Sequence, residues 1–369
     1  MDERTLRIFW ALCPGLEAAT LRTFFSAFGT MKHFHAADET AWRQAVRVRP
    51  TTVENMRRWR EQVEQKAPYL EAALNKSGIA CLVLGDEHYP VPLLDLASPP
   101  IVLFARGDTS LLHDSYIVSM VGTRRASSYG LEAARWISTS LSQAGMAICS
   151  GMALGIDQQV HQAALAADGR CIAILGCGVD VCYPPSNRRL YTHLLTKGLV
   201  VSEYQPRSLA AKHRFPERNR LIAGLALATV VIQAGEKSGA IITAESALNL
   251  GRDVYVVPGP ITSKSFRGSH LLLNDGAAPV VDPDMFARQL SNGPLVARTS
   301  AGPEIAEHLQ TLVRYLSEEG PLRAGELAQI ASMPPGHVYA SLLELEIGGI
   351  VERHFDGCYQ LKLALEKKS

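Results

Sequence analysis

Apolar and polar positions divide the chain into three stretches with different periodicity. In residues 1–75 the apolar residues recur at helical spacing: Leu6, Phe9, Trp10 and Leu12 mark one helix, turned at Pro14-Gly15. Leu21, Phe24, Phe25 and Phe28 mark a second that ends at Gly29, and Met56 to Leu74 predicts another, rich in Arg and Glu. A small helical domain over 1–75, of the sterile-alpha-motif or helix-hairpin-helix type, accounts for this pattern. Its Pro-Gly turn suits either plain packing or a grip on a DNA backbone.

From Gly78 the pattern changes to short apolar runs at 79–84, 101–105, 116–121, 146–149, 171–175, 199–201, 228–233 and 254–257. Helical stretches near 129–143, 156–167, 187–197 and 240–250 separate most of them. Near-continuous apolar strands alternating with helices predict an α/β domain over 76–290, built on a doubly wound parallel sheet. The pattern lapses in a Ser-, Gly- and Pro-rich linker at 291–304. Residues 305–369 then read as helices at 305–317, 323–331 and 336–347, followed by two alternating runs joined through Asp356-Gly357. Three helices and a hairpin predict a winged-helix domain. Its third helix carries Glu344 and Glu346 and no Arg or Lys, so the wing suits a protein contact at least as well as a base reader.

Composition narrows the partners. With 369 residues, 20% charged and a net charge of +1, the chain is too nearly neutral to bind a polyanion with its whole surface, so a nucleic-acid site must be a local patch. Seven cysteines form no CxxC pair and several sit in apolar runs, the pattern of reduced thiols in a cytoplasmic protein. No apolar segment approaches the ~20 residues of a membrane span. Met1-Asp2-Glu3-Arg4 opens no signal peptide. The expectation is a soluble cytoplasmic protein with no membrane partner.

Candidate chemistry collects where the predicted strands end. Lys212, Arg214, Phe215, Arg218 and Arg220, with Glu217 the one acid among them, precede the run at 228–233. After that run, Glu236-Lys237-Ser238-Gly239 opens a helix whose first N–H groups, at Ser238–Ala240, favour an anion. The run at 116–121 leads into Gly122-Thr123-Arg124-Arg125, either a phosphate-binding turn with Arg124 as its fork or a tight turn with a solvated arginine. Asp157 and His161 stand one helical turn apart, as an acid–base or metal pair or as a simple N-terminal charge on a helix. Gly176-Cys177-Gly178 starts like a dinucleotide fingerprint, but no third glycine follows and Pro184-Pro185 prevent the helix. GxSxG, HExxH and GxxxxGK[ST] are all absent. The sequence therefore predicts binding without turnover, with no catalytic residue, cofactor or metal. Phe215 is either an exposed ring for stacking bases or a buried residue ahead of Pro216.

Residues 79–281 resemble the DNA-processing protein A family (DprA, also called Smf). The resemblance runs in order through VGTRRASSYG, SGMALGID with His161, AILGCGVDVCYPPSN, SE at 202–203, FPERNRLIAGL, SGAIITA, VPG and LLLNDGA. It implies an extended Rossmann-like fold and a homodimer that binds single-stranded DNA. It further implies protection of incoming DNA and loading of the RecA recombinase in natural transformation and recombination. On matching positions it places a backbone phosphate at Gly122, Thr123 and Arg124, and a cation and stacking ring at Lys212 and Phe215. Arg218, Asn219 and Arg220 would complete the pocket with Ser238 and Gly239. A rival within the same superfamily is a nucleotide phosphoribohydrolase, although 236–245 lacks the PGGxGT loop of those enzymes. A winged-helix transcription regulator is a third reading.

Overall fold

A computed structural model of the chain describes residues 1–292, 307–319, 322–331, 333–347, 350–353 and 357–361. Residues 1–291 form one compact unit and 292–369 a second. The first unit opens with six helices: α1 (Glu3–Ala11), α2 (Ala18–Phe28), α3 (Met31–Ala36), α4 (Glu39–Ala45), α5 (Pro50–Arg60) and α6 (Val63–Lys76). Local chemistry sets their starts. Asp2, Thr30 and Asp38 accept the first free N–H groups of α1, α3 and α4, and Pro50 occupies the first turn of α5. Their core is aromatic. Trp10 packs edge-on against Phe34 with ring centroids 4.7 Å apart, Phe9 stacks on Trp59 at 5.1 Å, and Trp42 and Trp59 donate to the Phe34 and Phe9 carbonyls.

The sheet has nine strands: β1 (Ala80–Val83), β2 (Val102–Gly107), β3 (Ile117–Gly122), β4 (Ala147–Ser150), β5 (Cys171–Ile174), β6 (Leu199–Ser202), β7 (Ala228–Gln233), β8 (Asp253–Val256) and β9 (Ala278–Pro279). Their spatial order is β1-β2-β6-β5-β4-β3-β7-β8-β9. From β6 to β9 all pairs are parallel, whereas β1 and β2 run antiparallel to their neighbours, making a mixed edge on a parallel core. The intervening helices are α7 (Ser128–Gln143), α8 (Ile156–Ala166), α9 (Arg188–Lys197), α10 (Arg214–Leu225), α11 (Gly239–Asn249), α12 (Arg267–Asn274) and α13 (Pro283–Asn292). Strand residues Ile117, Val121, Cys149, Ile174, Val201 and Val231 share one buried cluster with Leu221, Ile222 and Leu225 of α10 and Ala240, Ala244 and Ala247 of α11. The alternating residues Val118, Met120, Ile148 and Ala173 are equally buried and point to the opposite face, as the period of two requires. The chain builds outward from β3 through β4, β5 and β6, then crosses back by way of α10 to place β7 on the other side of β3. That reversal opens a crevice at the carboxyl ends of β3, β4 and β7.

Helix α10 is not among the predicted helical stretches. Its Pro216 and dense charge look like a loop, yet Pro216 is only the third helical residue, where no intrahelical N–H bond is lost. The predicted elements also omit α12, α13 and the two-residue strand β9, and β1 and β2 run antiparallel to their neighbours where a parallel sheet is expected.

The helical segment joins the sheet through polar contacts as well as apolar ones. Arg4 on α1 bonds Asp86 at 2.7 Å and also Glu71 of α6, and Gln205 donates to the Cys13 carbonyl at 2.7 Å. At the centre of this seam lies Glu203, just past β6, with a side chain only 1% exposed. It takes Arg22 of α2 at 2.7 Å and Arg220 of α10 together.

The second unit comprises α14 (Glu307–Glu319), β10 (Leu322–Arg323), α15 (Ala324–Ile330), α16 (Pro335–Ile347), β11 (Val351–Arg353) and β12 (Cys358–Leu361). The strands order as β10-β12-β11, all antiparallel, and Leu312, Leu327, Val338, Leu342, Leu345 and Val351 form its core. Residues 293–304 of the expected linker, the Gly348-Gly349 reversal and Asp356 lie outside the described residues.

Removing Glu203 would leave Arg220 and Arg22 without their counter-charge in a buried seam. Glu203→Ala is expected to lower the unfolding free energy by about 3–5 kcal/mol in a urea titration. A loss under about 1 kcal/mol would mean that the seam is held by its apolar contacts alone.

Candidate nucleic-acid interface

The crevice at the sheet's switch point is a cleft of about 720 Å³. Three strand ends supply its floor. Gly122 to Arg125 lie at the end of β3, Ala153 and Asp157 follow β4, and Gly235 and Lys237 to Ala240 follow β7, while one face of α10 makes the wall. The strand ends meet closely because side chains are missing where backbones touch. A Cβ on Gly122 would fall 2.5 Å from Ile156, and one on Gly155, whose φ is +78°, would fall 2.5 Å from the Thr123 carbonyl. Gly122 lines the cleft, and the place a Cβ would take is filled by Ile156 at the start of α8. Thr123 closes the turn, its N–H bonding the Gln233 carbonyl and its hydroxyl accepting from Arg125 N.

The phase of α10 decides which of its residues enter the cleft. Phe215, Arg218, Asn219 and Ile222 recur at three and four residues and line it together. Arg220 is two residues, about 200°, round the helix from Arg218. It turns away from the cleft to Glu203 and the Ser98 carbonyl, so its expected phosphate contact is corrected to a seam role. The structure thus brings together Gly122, Thr123, Arg124, Lys212, Phe215, Arg218, Asn219, Ser238 and Gly239, and leaves Arg220 out.

Two of these are held rather than presented. Arg218 is 3% exposed, donating to the Gly151 carbonyl at 3.0 Å and to Asn219 Oδ1 at 3.3 Å. Burial lowers its guanidinium pKa, and the neighbouring Asp157 carboxylate opposes that shift. The same burial raises the Asp157 carboxyl, against the pull of Arg218 and of backbone amides. Asn219 Nδ2 donates to the Gly239 carbonyl at 3.0 Å, tying the wall to the first turn of α11. There Ser238 caps the helix, its hydroxyl accepting from Ala240 N at 3.3 Å.

The remaining cations face solvent. Arg124, Arg125, Lys212 and Lys237 line the cleft and form no ion pair among the described residues. Among the described residues Asp157 is the only acid in the lining. The guanidinium of Arg124 lies over the Phe215 ring, 4.9 Å from its centroid, and Tyr183 stands 5.5 Å from Phe215 with the planes tilted by 32°. Phe215 is half-buried in the cleft, so neither sequence alternative describes it fully. Arg125, Lys237 and Tyr183 were missed as lining residues. Their signal was adjacency to the Arg124 turn, to Ser238 and to the YPP segment.

His161, one turn after Asp157, is fully buried, its ring near the Ser150 backbone but without a hydrogen bond of good geometry. Burial, reinforced by the nearby Arg218 charge, pushes its pKa down to about 3. Among the described residues no group of three His, Cys, Asp or Glu side chains gathers to hold a metal.

A cleft at the switch point of a largely parallel α/β sheet, lined by cations with no ion pair among the described residues, favours an anion. A family model described as DNA recombination-mediator protein A matches residues 80–291. The DNA processing protein DprA of Bacillus subtilis is 36% identical over 220 residues, covering 60% of this chain and 74% of the relative. Protein Smf of Synechocystis sp. is 34% identical over 311 residues, covering 74% and 78%. The solved structure of DprA from Streptococcus pneumoniae superposes with a TM-score of 0.65 at 31% identity, covering 78% of this chain and 98% of that one. DprA from Helicobacter pylori, whose structure is described for its unique single-stranded DNA binding mode, gives 0.53 at 30% identity and covers 57% and 95%. The chain belongs to the DNA recombination-mediator protein A family.

The neutral, buried state of His161 has a consequence for stability. Its folded pKa lies below the unfolded value of about 6.5, so the unfolded chain takes up the extra proton first and stability falls with pH below that point. Between pH 7 and pH 5 the wild-type protein is expected to lose about 2 kcal/mol more than His161→Leu. Parallel stability curves for the two in urea would show instead that His161 is protonated in place.

Proposed function

We propose that this protein binds single-stranded DNA along the cleft without strong sequence preference and without turning it over. The observation that carries the reading is the pairing, in one cleft, of four unpaired cations with a half-buried aromatic wall. Phosphates need the cations and the N–H groups at the start of α11, whereas a free phosphate or nucleotide has no need of a ring beyond its base. The described single-strand binding of the Helicobacter pylori neighbour supports the same reading. Family membership supports a setting in natural transformation and recombination, where the protein protects incoming DNA and loads the RecA recombinase onto it. In this reading the second unit is a winged helix whose third helix, with Glu344 and Glu346 exposed, meets protein rather than DNA.

We further propose a homodimer through the 228–281 region. Of its Leu271-Leu272-Leu273 run, Leu272 is core while Leu271 is 52% exposed and lines one groove with Leu248, at 53%. Leu271→Arg is expected to convert a scattering mass of two chains into that of one. A wild-type monomer at micromolar concentration would remove the proposal.

If Arg124, Arg125, Lys212 and Lys237 meet phosphates, binding to oligothymidine should weaken with salt at a log–log slope of roughly −3. Lys212→Ala should lower affinity and bring that slope about 0.7 closer to zero. Removing residues 305–369 should leave most of the affinity intact. A salt-independent affinity would refute phosphate contact. Release of free base from a nucleoside monophosphate by the pure protein would favour a phosphoribohydrolase.

A further inference from the structure

We infer that the corner between α4 and α5 is a second contact for nucleic acid. There Arg43, Arg47 and Arg49 meet the phosphates of a strand that continues beyond the cleft. The inference rests on the single-strand reading of the cleft but concerns a different part of the same compact unit. Residues 40–53 hold these three arginines and no acid, in a chain whose net charge is +1. All three are exposed, and none makes a hydrogen bond or ion pair among the described residues. The acids on either side are committed elsewhere: Glu39 and Glu54 both pair with Arg57, at 3.8 and 2.9 Å. Bare like charges this close repel one another, and a polyanion laid across them relieves that repulsion.

The backbone sets the direction of these side chains. Arg43 lies in the last turn of α4, and the chain then leaves the helix, with Val46 extended at φ −144° and ψ 132°. Val46 and Val48 are half-buried while Arg47 and Arg49 are exposed, the alternation of an extended segment. Arg47 and Arg49 therefore project on one side, about 7 Å apart along the chain. Helix α5 starts directly after them with no side-chain cap, so the positive end of its dipole adds to the same patch. The corner also lies on a route from the cleft. Beside Phe215, Arg214 bonds Glu17 at 2.7 Å and neutralises the acid that borders the route. Gln205 anchors the neighbouring turn through the Cys13 carbonyl at 2.7 Å and leaves Pro14 and Gly15 exposed. Gly15 abuts α5, where a Cβ on it would lie 3.0 Å from Asn55 Nδ2. From Asn55 back to Arg49 is about 9 Å along the helix axis. A strand leaving the cleft past Lys212 and over this turn would thus arrive at the three arginines.

The test compares the full chain with a variant carrying Arg43→Gln, Arg47→Gln and Arg49→Gln, on oligothymidines of about 6 and about 30 nucleotides. The short strand occupies the cleft alone, so both proteins should bind it within about twofold of each other. The long strand should bind the variant about tenfold more weakly at low salt. Its log–log salt slope should also move about 2 closer to zero, because three phosphate contacts are lost. Equal affinity and slope for the long strand in the two proteins would overturn the inference and leave the arginines a solvated face. A loss as large on the short strand as on the long would overturn it too, because the substitutions would then act through the cleft. So would a loss confined to a duplex of the same length, which would assign the corner to double-stranded DNA. If the wild-type protein binds neither oligothymidine, the single-strand reading itself falls, an outcome distinct from these.

Discussion

Burial of the Arg218 charge beneath the ends of β3 and β4 is the constraint to which the cleft is built. An unpaired cation there would cost several kcal/mol, so each neighbour is arranged to meet it. Gly151 offers its carbonyl and has no side chain to obstruct the approach, because a Cβ would sit 2.5 Å from the guanidinium. Asp157 supplies opposite charge at the start of α8, and Asn219 accepts from Nε. Once Arg218 is seated, the rotation of α10 is fixed. Phe215, Asn219 and Ile222 must then face the crevice, and Asn219 in turn anchors the first turn of α11.

The same rotation gives α10 a second task on its far side. Arg220 meets Glu203, which also receives Arg22 from the helical segment. One helix therefore links the cleft wall to the aromatic-cored segment at the amino terminus, and Arg214 adds a bond to Glu17 at 2.7 Å. The helical segment and the sheet belong to one compact unit partly for this reason. Through Glu203, α2 is tied to a helix that cannot turn without exposing a buried charge.

Much of the central fold was legible because buried parallel strands leave a strong signature. Six of the eight predicted apolar runs became the parallel strands β3 to β8, and four predicted helices match α7, α8, α9 and α11 to within two residues at each end. The strand ends also announced the cleft, since glycine followed by Thr-Arg-Arg or preceded by Lys-Ser has few purely structural uses. What stayed hidden was rotational phase. Arg218 and Arg220 look alike in a basic run, and only a helix, masked by Pro216, sends them to opposite sides. Burial was hidden as well. Arg218 reads as a surface cation until Gly151 and Asp157, some 60 residues earlier in the chain, are brought beside it. Tyr183 carries no signal of its own within CYPPSN, because its partner ring lies on a helix the pattern did not show.

The last strand of the sheet has a bearing on assembly. β9 is two residues long, both exposed, and one of them, Pro279, has no N–H to offer. An outer rim so short and so poor in donors cannot template another strand, which guards the sheet against edge-to-edge aggregation. It also dictates the style of any self-association on that flank. Two copies cannot fuse their sheets into one continuous ribbon of hydrogen bonds. A contact on that flank would have to be made by side chains rather than by backbone pairing.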